Sequence, residues 1–523
     1  MKGECCRGFR ALETRQAADA FRADHHTTGT DHDAAADRFR WLYFRMFFRQ
    51  FYDDALAQAS YLIGCQATGE AVVVDPIRDI DQYLAVATVE GLRITHVTET
   101  HIHADFVSGA RELVARTGAA LFLSAEGGPD WQYAYAASDA ATLLHDGDQI
   151  RVGNIHLDAV HTPGHTPEHL SFLVTDTPRG VGAMGILSGD FVFVGDVGRP
   201  DLLEKAAHVA NSMESAARTL FHSLQRFRAL PDYMQVWPGH GAGSACGKAL
   251  GAVPSTTVGY EKRVNWGVRC TDEAMFVRSV LDGQPEPPRY FADMKRVNRD
   301  GPTVLGALRM PTHGNASDIV GLADDQAWIV DLRAAADFAR VHVPGTLSIP
   351  DGRSFATWCG WLIPYDADVT LLVPRGDDGE AETIARRASR DLALIGLDRV
   401  TGWMQADDAI TAWTTAGRHT GRIAQVDVHS IASAMKGTQL QVIDVRGHTE
   451  WEAGHLPGVR NVPVGLLAES LYTLPTGPFV VQCQSGARSM IAASVLHRLG
   501  RNDVRNLVGG YADWSAKGLP VEI

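Results

Sequence analysis

At 523 residues, 45% of them hydrophobic, the chain exceeds what one core can organise, and at about 150 residues per domain it divides into three or four. Its 48 Lys and Arg against 62 Asp and Glu leave a net charge of −14, with no cationic stripe to track phosphates, which excludes nucleic acid as a partner. No run of about 18 apolar residues offers a membrane span, and the 7 cysteines lack both C-x-x-C spacing and a regular even pattern, so neither a zinc ribbon nor a disulfide framework is expected and a reducing cytoplasm is.

Residues 1–45 mix Arg with Asp19, Asp24, Asp31 and Asp33 and with His25, His26 and His32, without an apolar face. They read as a disordered or mis-assigned extension, with Met46 as a candidate start, and their acids argue against an import peptide. Phe47, Phe48, Phe51 and Tyr52 then open an aromatic-rich strand. Tyr61–Ile63 and Ala71–Asp75 read as paired strands about a turn at Thr68 and Gly69, and 79–90 as a helix capped by Asp79. A strand over 92–97 leads into Thr100-His101-Ile102-His103-Ala104-Asp105-Phe106-Val107-Ser108-Gly109. Two imidazoles and a carboxylate at alternate positions beyond a strand end are an arrangement that holds metal at a sheet edge. Strands over 155–160, 170–174 and 185–187 and a helix over 205–228 repeat the layout in a second half. Further candidate ligands close those strands: His165 in H-T-P-G-H-T, Asp190 in S-G-D and His240 in W-P-G-H.

These motifs resemble the metallo-β-lactamase superfamily, whose pattern is H-x-H-x-D-H with the last His serving a second metal. The resemblance implies an α/β fold of αββα type, two mixed sheets faced by helices. Here Phe106 holds the last position, and a benzene ring donates nothing to a metal, so one ion is expected. Two His and one carboxylate leave open positions, a facial triad suited to ferrous iron that takes dioxygen and substrate side by side, whereas zinc favours closed sites or a hydrolytic water. With Gly198-Arg199-Pro200-Asp201-Leu202 added, residues 46 to about 269 look like the persulfide dioxygenase branch. That resemblance implies one Fe(II) per chain on His101, His165 and Asp190, with His103, Asp105 and His240 just outside, orienting the ligands and the bound water. It also sets Arg199 near the thiol cosubstrate, with pairing to Asp201 as the alternative. Cys246, six residues after His240, is expected near the metal mouth, either carrying sulfane sulfur or filling space; Cys65 reads as structural.

An internal repeat follows. Asp331-Leu332-Arg333 and then His342-Val343-Pro344-Gly345 recur as Asp444-Val445-Arg446 and His455-Leu456-Pro457-Gly458, which implies two small parallel α/β domains of about 100 residues each. Both resemble rhodanese, and the second has the family's ending in Asn506-Leu507-Val508-Gly509-Gly510 before Trp514. There a strand over 479–481 runs into Cys483-Gln484-Ser485-Gly486-Ala487-Arg488-Ser489 and a helix over 490–499. Backbone N–H groups at the helix start, with Arg488, favour a thiolate at Cys483 that accepts sulfane sulfur as a persulfide. In the first copy the strand 369–373 meets Pro374-Arg375-Gly376-Asp377-Asp378-Gly379-Glu380, read as a longer, acidic loop without cysteine, and Cys359 comes too early to substitute. This copy reads as a spacer or docking module.

The expected domains are therefore 46–295, 303–417 and 423–523. The expected activity is oxidation of a low-molecular-weight persulfide, of glutathione or a similar thiol, by O2 to sulfite, coupled through Cys483 to thiosulfate in sulfide detoxification by a homo-oligomer. The alternative is a zinc thioester hydrolase of glyoxalase II type fused to rhodanese.

Overall fold

A computed structural model describes residues 46–523 apart from 181, 203–211, 245, 249, 285, 438 and 439. The extension 1–45 and the start of the expected helix at Lys205 lie outside the described residues; the rest of that helix is Met213–Ala229.

The first sheet holds six strands in chain order, β1 (Met46–Asp53), β2 (Gln58–Cys65), β3 (Glu70–Val74), β4 (Arg93–Thr98), β5 (Ala120–Ser124) and β6 (Thr142–Leu144). The second holds β7 (Gln149–Val152), β8 (Ile155–His161), β9 (Leu170–Asp176), β10 (Gly185–Gly189), β11 (Gln235–Pro238) and β12 (Thr256–Thr257), in the order β12-β11-β10-β9-β8-β7. Tyr61, Ile63, Val72 and Val74 of one sheet meet Ile150, Leu157, Phe172 and Leu187 of the other in a dry layer. The outer faces need helices. Met213–Ala229 covers the second sheet because Ala217, Leu220, Phe221, Leu224 and Phe227 recur at helical spacing and pack on Ile186 and Val236. The result is the αββα sandwich.

One expected cap is absent. The helix Asp81–Val89 starts after Ile80 with no side-chain cap, and Asp79 instead accepts from Arg390 Nε at 2.6 Å, far along the chain. A buried or bridged cation outbids a backbone N–H for the carboxylate.

Two five-stranded sheets follow with the same topology. The first copy has β13 (Thr312–His313), β14 (Trp328–Asp331), β15 (Leu347–Ser348), β16 (Val369–Val373) and β17 (Val400–Gln405), in the order β13-β17-β16-β14-β15. The second has β18 (Ala424–Val426), β19 (Gln441–Asp444), β20 (Arg460–Asn461), β21 (Phe479–Gln482) and β22 (Val504–Leu507), in the order β18-β22-β21-β19-β20. All pairs are parallel, and the central strands β16 and β21 are buried along their whole length, as strands covered on both faces must be. One apolar cluster runs without a break from Phe106, Cys246 and Tyr290 through Cys359 and Leu394 to Val445, Cys483 and Met490. Among the described residues no helix is long and apolar enough to cross a membrane.

Candidate metal centre

The metal turn is pinned from behind by Asp75, a residue whose φ of +52° ends β3. Its carboxylate accepts the Thr100 N–H at 2.6 Å, the Thr100 hydroxyl at 2.9 Å and His103 Nε2 at 3.1 Å. Thr100 Oγ1 in turn lies 2.9 Å from His101 Nδ1, which leaves His101 Nε2 facing inward. His165 is oriented likewise: its Nδ1 sits 3.1 Å from the Arg199 carbonyl, and its Nε2 is 3.4 Å from Asp190 Oδ2, with His101 Nε2 4.0 Å from the same oxygen.

These three donors lie within 4.8 Å of one another and all three residues are buried. Neither oxygen of Asp190 has a hydrogen-bond partner although the residue is 1% exposed, a costly state for a carboxylate unless a cation meets it. Burial and then the neighbouring imidazoles hold His101 well below its ordinary range, keeping a lone pair available. The donor set fits a metal ion.

The other expected residues surround it. His240 Nδ1 is 3.0 Å from the Ala57 carbonyl, and its Nε2 is 3.3 Å from Asp105 Oδ2 and 3.5 Å from Asp190 Oδ1. Asp105, His240 and Cys246 form a second buried group within 4.8 Å, on the other oxygen of Asp190. Burial, then Asp105 and Asp190, push the Cys246 thiol well above its usual range. His103 turns away to Asp75; burial alone would lower it, but that carboxylate carries it to about 9. The Phe106 ring lies against it at 4.4 Å, fully buried. The Arg199 guanidinium forks onto Asp201 at 2.8 and 2.6 Å, with side chains 0% and 1% exposed. This is the pairing expected as the alternative to thiol binding, and the Arg199 carbonyl also reaches the centre, on His165.

At the far end of the chain β21 stops at Gln482, and Cys483 Sγ accepts the Gly486 N–H at 3.2 Å and the Ser489 hydroxyl at 3.5 Å. Gly486 has φ +98°, the left-handed turn that aims its N–H back at the sulfur and favours glycine. The helix begins at Ala487, three residues before the expected Met490. Arg488 forks onto Glu450 at 2.6 and 2.7 Å, so its charge is shared with a carboxylate instead of being reserved for the sulfur. In the first copy the expected longer loop is not found. β16 ends at Val373 and the helix Asp378–Leu394 begins after four intervening residues, as Ala487 does after Gln482. The acidic run is the helix start itself, Asp377 accepting the Glu380 N–H at 2.9 Å.

A metallo-beta-lactamase superfamily model matches residues 53–240, and a rhodanese-like domain model matches 427–517. A solved metallo-beta-lactamase from Staphylococcus aureus subsp. aureus COL is 41% identical, with a TM-score of 0.61, over 69% of this chain and 98% of that one. The chain belongs to the metallo-β-lactamase superfamily. Its sandwich also resembles a hydroxyacylglutathione hydrolase of Polaromonas, 33% identical over 36% of this chain and 63% of the relative, so less than two thirds of that protein is spanned. The persulfide dioxygenase ETHE1 of Bos taurus is 27% identical over 37% of this chain and 67% of its own length. The metallo-β-lactamase relatives and the rhodanese-like match point to an enzyme, and the buried donor set gives its sandwich a candidate metal site.

Several residues of this metallo-β-lactamase centre escaped sequence reasoning. Asp75 was legible only as the polar end of V-V-V-D. His169 had a signal, a third His in the H-T-P-G-H-T-P-E-H run. Its Nε2 accepts the Asp190 N–H at 3.0 Å, and burial holds it down to about 3, so it stays an acceptor. Asn298 had none: it reaches the metal turn from a helix almost 200 residues away in sequence, Tyr290–Asp300.

Proposed function

We propose that this protein oxidises the persulfide of a low-molecular-weight thiol, glutathione or one like it, with dioxygen to sulfite, and that its last domain moves sulfane sulfur on Cys483. One persulfide, one O2 and one water give one thiol and one sulfurous acid, which ionises to sulfite. The observation that carries this reading is the buried three-donor set of His101, His165 and Asp190, two imidazoles and a carboxylate that would hold one ion. Iron(II), when bound there, supplies one-electron chemistry with dioxygen and adjacent open positions. The chain's own residues do the rest. Asp75 and Thr100 fix the His101 ring, the Arg199 carbonyl fixes His165, and His169 fixes the Asp190 backbone. His240 turns Nε2 to Asp105 and Asp190; burial lowers it, but those two carboxylates outweigh burial and raise it above its ordinary value. Cys246 stands at that second group with its thiol held protonated by burial and the carboxylates, which favours the space-filling role over sulfur acceptance.

On Cys483, sulfite attacks the outer sulfur of the enzyme persulfide. The S–S bond breaks, thiosulfate leaves and the electron pair returns to the Cys483 sulfur, cradled by the Gly486 N–H. Sulfide detoxification in a reducing cytoplasm, by a homo-oligomer, is the setting this chemistry suits.

A second reading, a zinc thioester hydrolase, is favoured by the hydrolase likeness and by the Asp105, His240 and Cys246 group beside Asp190 Oδ1. Metal analysis of anaerobically purified protein with dioxygen uptake on glutathione persulfide decides between them. About one iron per chain and stoichiometric oxygen consumption are expected; two tight zinc ions and no oxygen uptake would replace the dioxygenase by the hydrolase.

A further inference from the structure

The metal turn does not hold its shape alone. Between His103 and Ser108 the backbone leaves the sheet, and its polar groups need partners from elsewhere. Asn298, fully buried, supplies three: Nδ2 donates to the His103 carbonyl at 2.8 Å and the Phe106 carbonyl at 2.7 Å, and Oδ1 accepts the Ser108 N–H at 2.9 Å. The fourth comes from the first rhodanese-like copy, where the Leu394 carbonyl accepts the Val107 N–H at 2.7 Å.

That copy is fastened to the same place by charge. Arg78, buried behind the turn, forks onto Asp398 at 2.7 and 3.0 Å and donates to the Thr303 carbonyl at 2.7 Å. Arg390 of the copy reaches back to Asp79 at 2.6 Å and Asp53 at 2.9 Å. Gly396 then closes the contact at φ +80°, where a Cβ would stand 3.0 Å from Met294 and 3.3 Å from both Val107 and Tyr365.

We propose that Asn298 is a positioning residue of the metal centre, and that the rhodanese-like copy whose loop lacks a cysteine is retained because its Leu394–Gly396 corner is the outer wall of the metal turn. Asn298 sets the backbone of His103 and Phe106 from inside, and Leu394 sets Val107 from outside. Asp105 and the ring of His103 project from the segment so clamped, next to His240 and Asp75 respectively. The copy's sulfur chemistry is dispensable; its helix end is not. This rests on the reading of His101, His165 and Asp190 as the metal site, but not on which substrate is oxidised.

The test uses the full-length, metal-loaded protein. Asn298→Asp is nearly isosteric, keeps the acceptor for Ser108 and removes both donors. Gly396→Ala changes only the copy's own sequence, yet its Cβ presses on Met294 and Val107 across the contact. Each is expected to speed transfer of the ion to a chelator about ten-fold or more and to change the electron paramagnetic resonance spectrum of its nitrosyl adduct, as loss of groups that orient ligands does elsewhere. Cys483 sulfur transfer in the same samples should be unchanged, which controls for folding. If both variants melt lower yet keep wild-type chelation rates and spectra, Asn298 and Gly396 are only structural and the proposal falls. A wild-type protein that holds its ion but consumes no oxygen would overturn the dioxygenase reading and leave this result standing.

Discussion

The two rhodanese-like copies share strand order, the buried Asp–Arg pair and the His-x-Pro-Gly turn, and they part at four residues after the central strand. In the second copy the positive end of the helix faces Cys483 Sγ, through the Gly486 N–H. In the first, Asp377 accepts the Glu380 N–H and fills that end with its own carboxylate. Pro374 stands at the position of Cys483, Asp377 at that of Gly486, and Glu380 at that of Ser489. A fold of this kind therefore asks only for an anion or acceptor at the helix start. Whether the anion is a reactive sulfur or an inert carboxylate is a local choice, and the first copy took the inert one.

The sharpest test of that contrast is removal of the one sulfur. Cys483→Ser should abolish thiosulfate formation, a loss of at least about 1,000-fold by analogy with other removed nucleophiles, while oxygen consumption persists and sulfite accumulates. Coupled loss of oxygen uptake would show the two halves to be one catalytic unit.

Below it in size comes a change both copies should feel alike. Asp331 takes three hydrogen bonds from the Arg333 side chain and Asp444 three from Arg446, and both carboxylates are fully buried. Asp331→Asn and Asp444→Asn each strand a buried guanidinium, and each should cost about 3 kcal/mol of stability in denaturant melts. A silent Asp331→Asn beside a damaging Asp444→Asn would mean that the first copy has drifted energetically as well as chemically.

Why the copies were legible in sequence, and their loop difference was not, follows from what carries each signal. The repeat, the sandwich and the ligands His101, His165, Asp190 and His240 lie at ends of apolar strands, where pattern and position coincide. The loop was misread because Asp377, Asp378 and Glu380 look like an acidic insertion, whereas the structure makes them the first turn of a helix, the place where carboxylates are favoured. Asp79 misled in the opposite sense: a good cap in sequence, it was claimed by Arg390 across the domain contact. Asn298 and Leu394 reach the metal turn only through tertiary folding, and no local pattern announces them.

A smaller difference separates the two His-x-Pro-Gly turns. His342 stacks on Phe338 at 4.0 Å with His497 and Arg333 as its charged neighbours, and burial first, then those two, hold it down to about 4. His455 stacks on Trp451 at 4.0 Å but has the Glu522 carboxylate 3.7 Å away. A histidine lowered on folding contributes stability fully above its unfolded value near 6.5 and loses it as pH falls through about 4. Thermal melts should therefore drop between pH 6.5 and 4, and His342→Asn, which can still donate to the Phe338 carbonyl, should flatten that slope. Equal slopes in the two proteins would assign the acid lability elsewhere.

The smallest expected effect is none. Placing a cysteine at 374 in the Cys483→Ser protein restores the nucleophile at the right distance from its strand, since the two loops are equal in length. It does not restore what ionises and steers the sulfur. Asp377 occupies the corner where the second copy has the left-handed Gly486, and its carboxylate already holds the Glu380 N–H. Glu380 puts a second negative charge where Ser489 offers a hydroxyl to Cys483. Two carboxylates beside the new thiol favour its protonated form and repel sulfite, so Pro374→Cys alone should leave thiosulfate production at background. Adding Asp377→Gly and Glu380→Ser to it removes both charges and frees the helix start. If Pro374→Cys rescued activity without them, the carboxylates would not be what silences the first copy. If the triple variant bound sulfane sulfur while the single one did not, those three positions would be the whole distance between scaffold and enzyme.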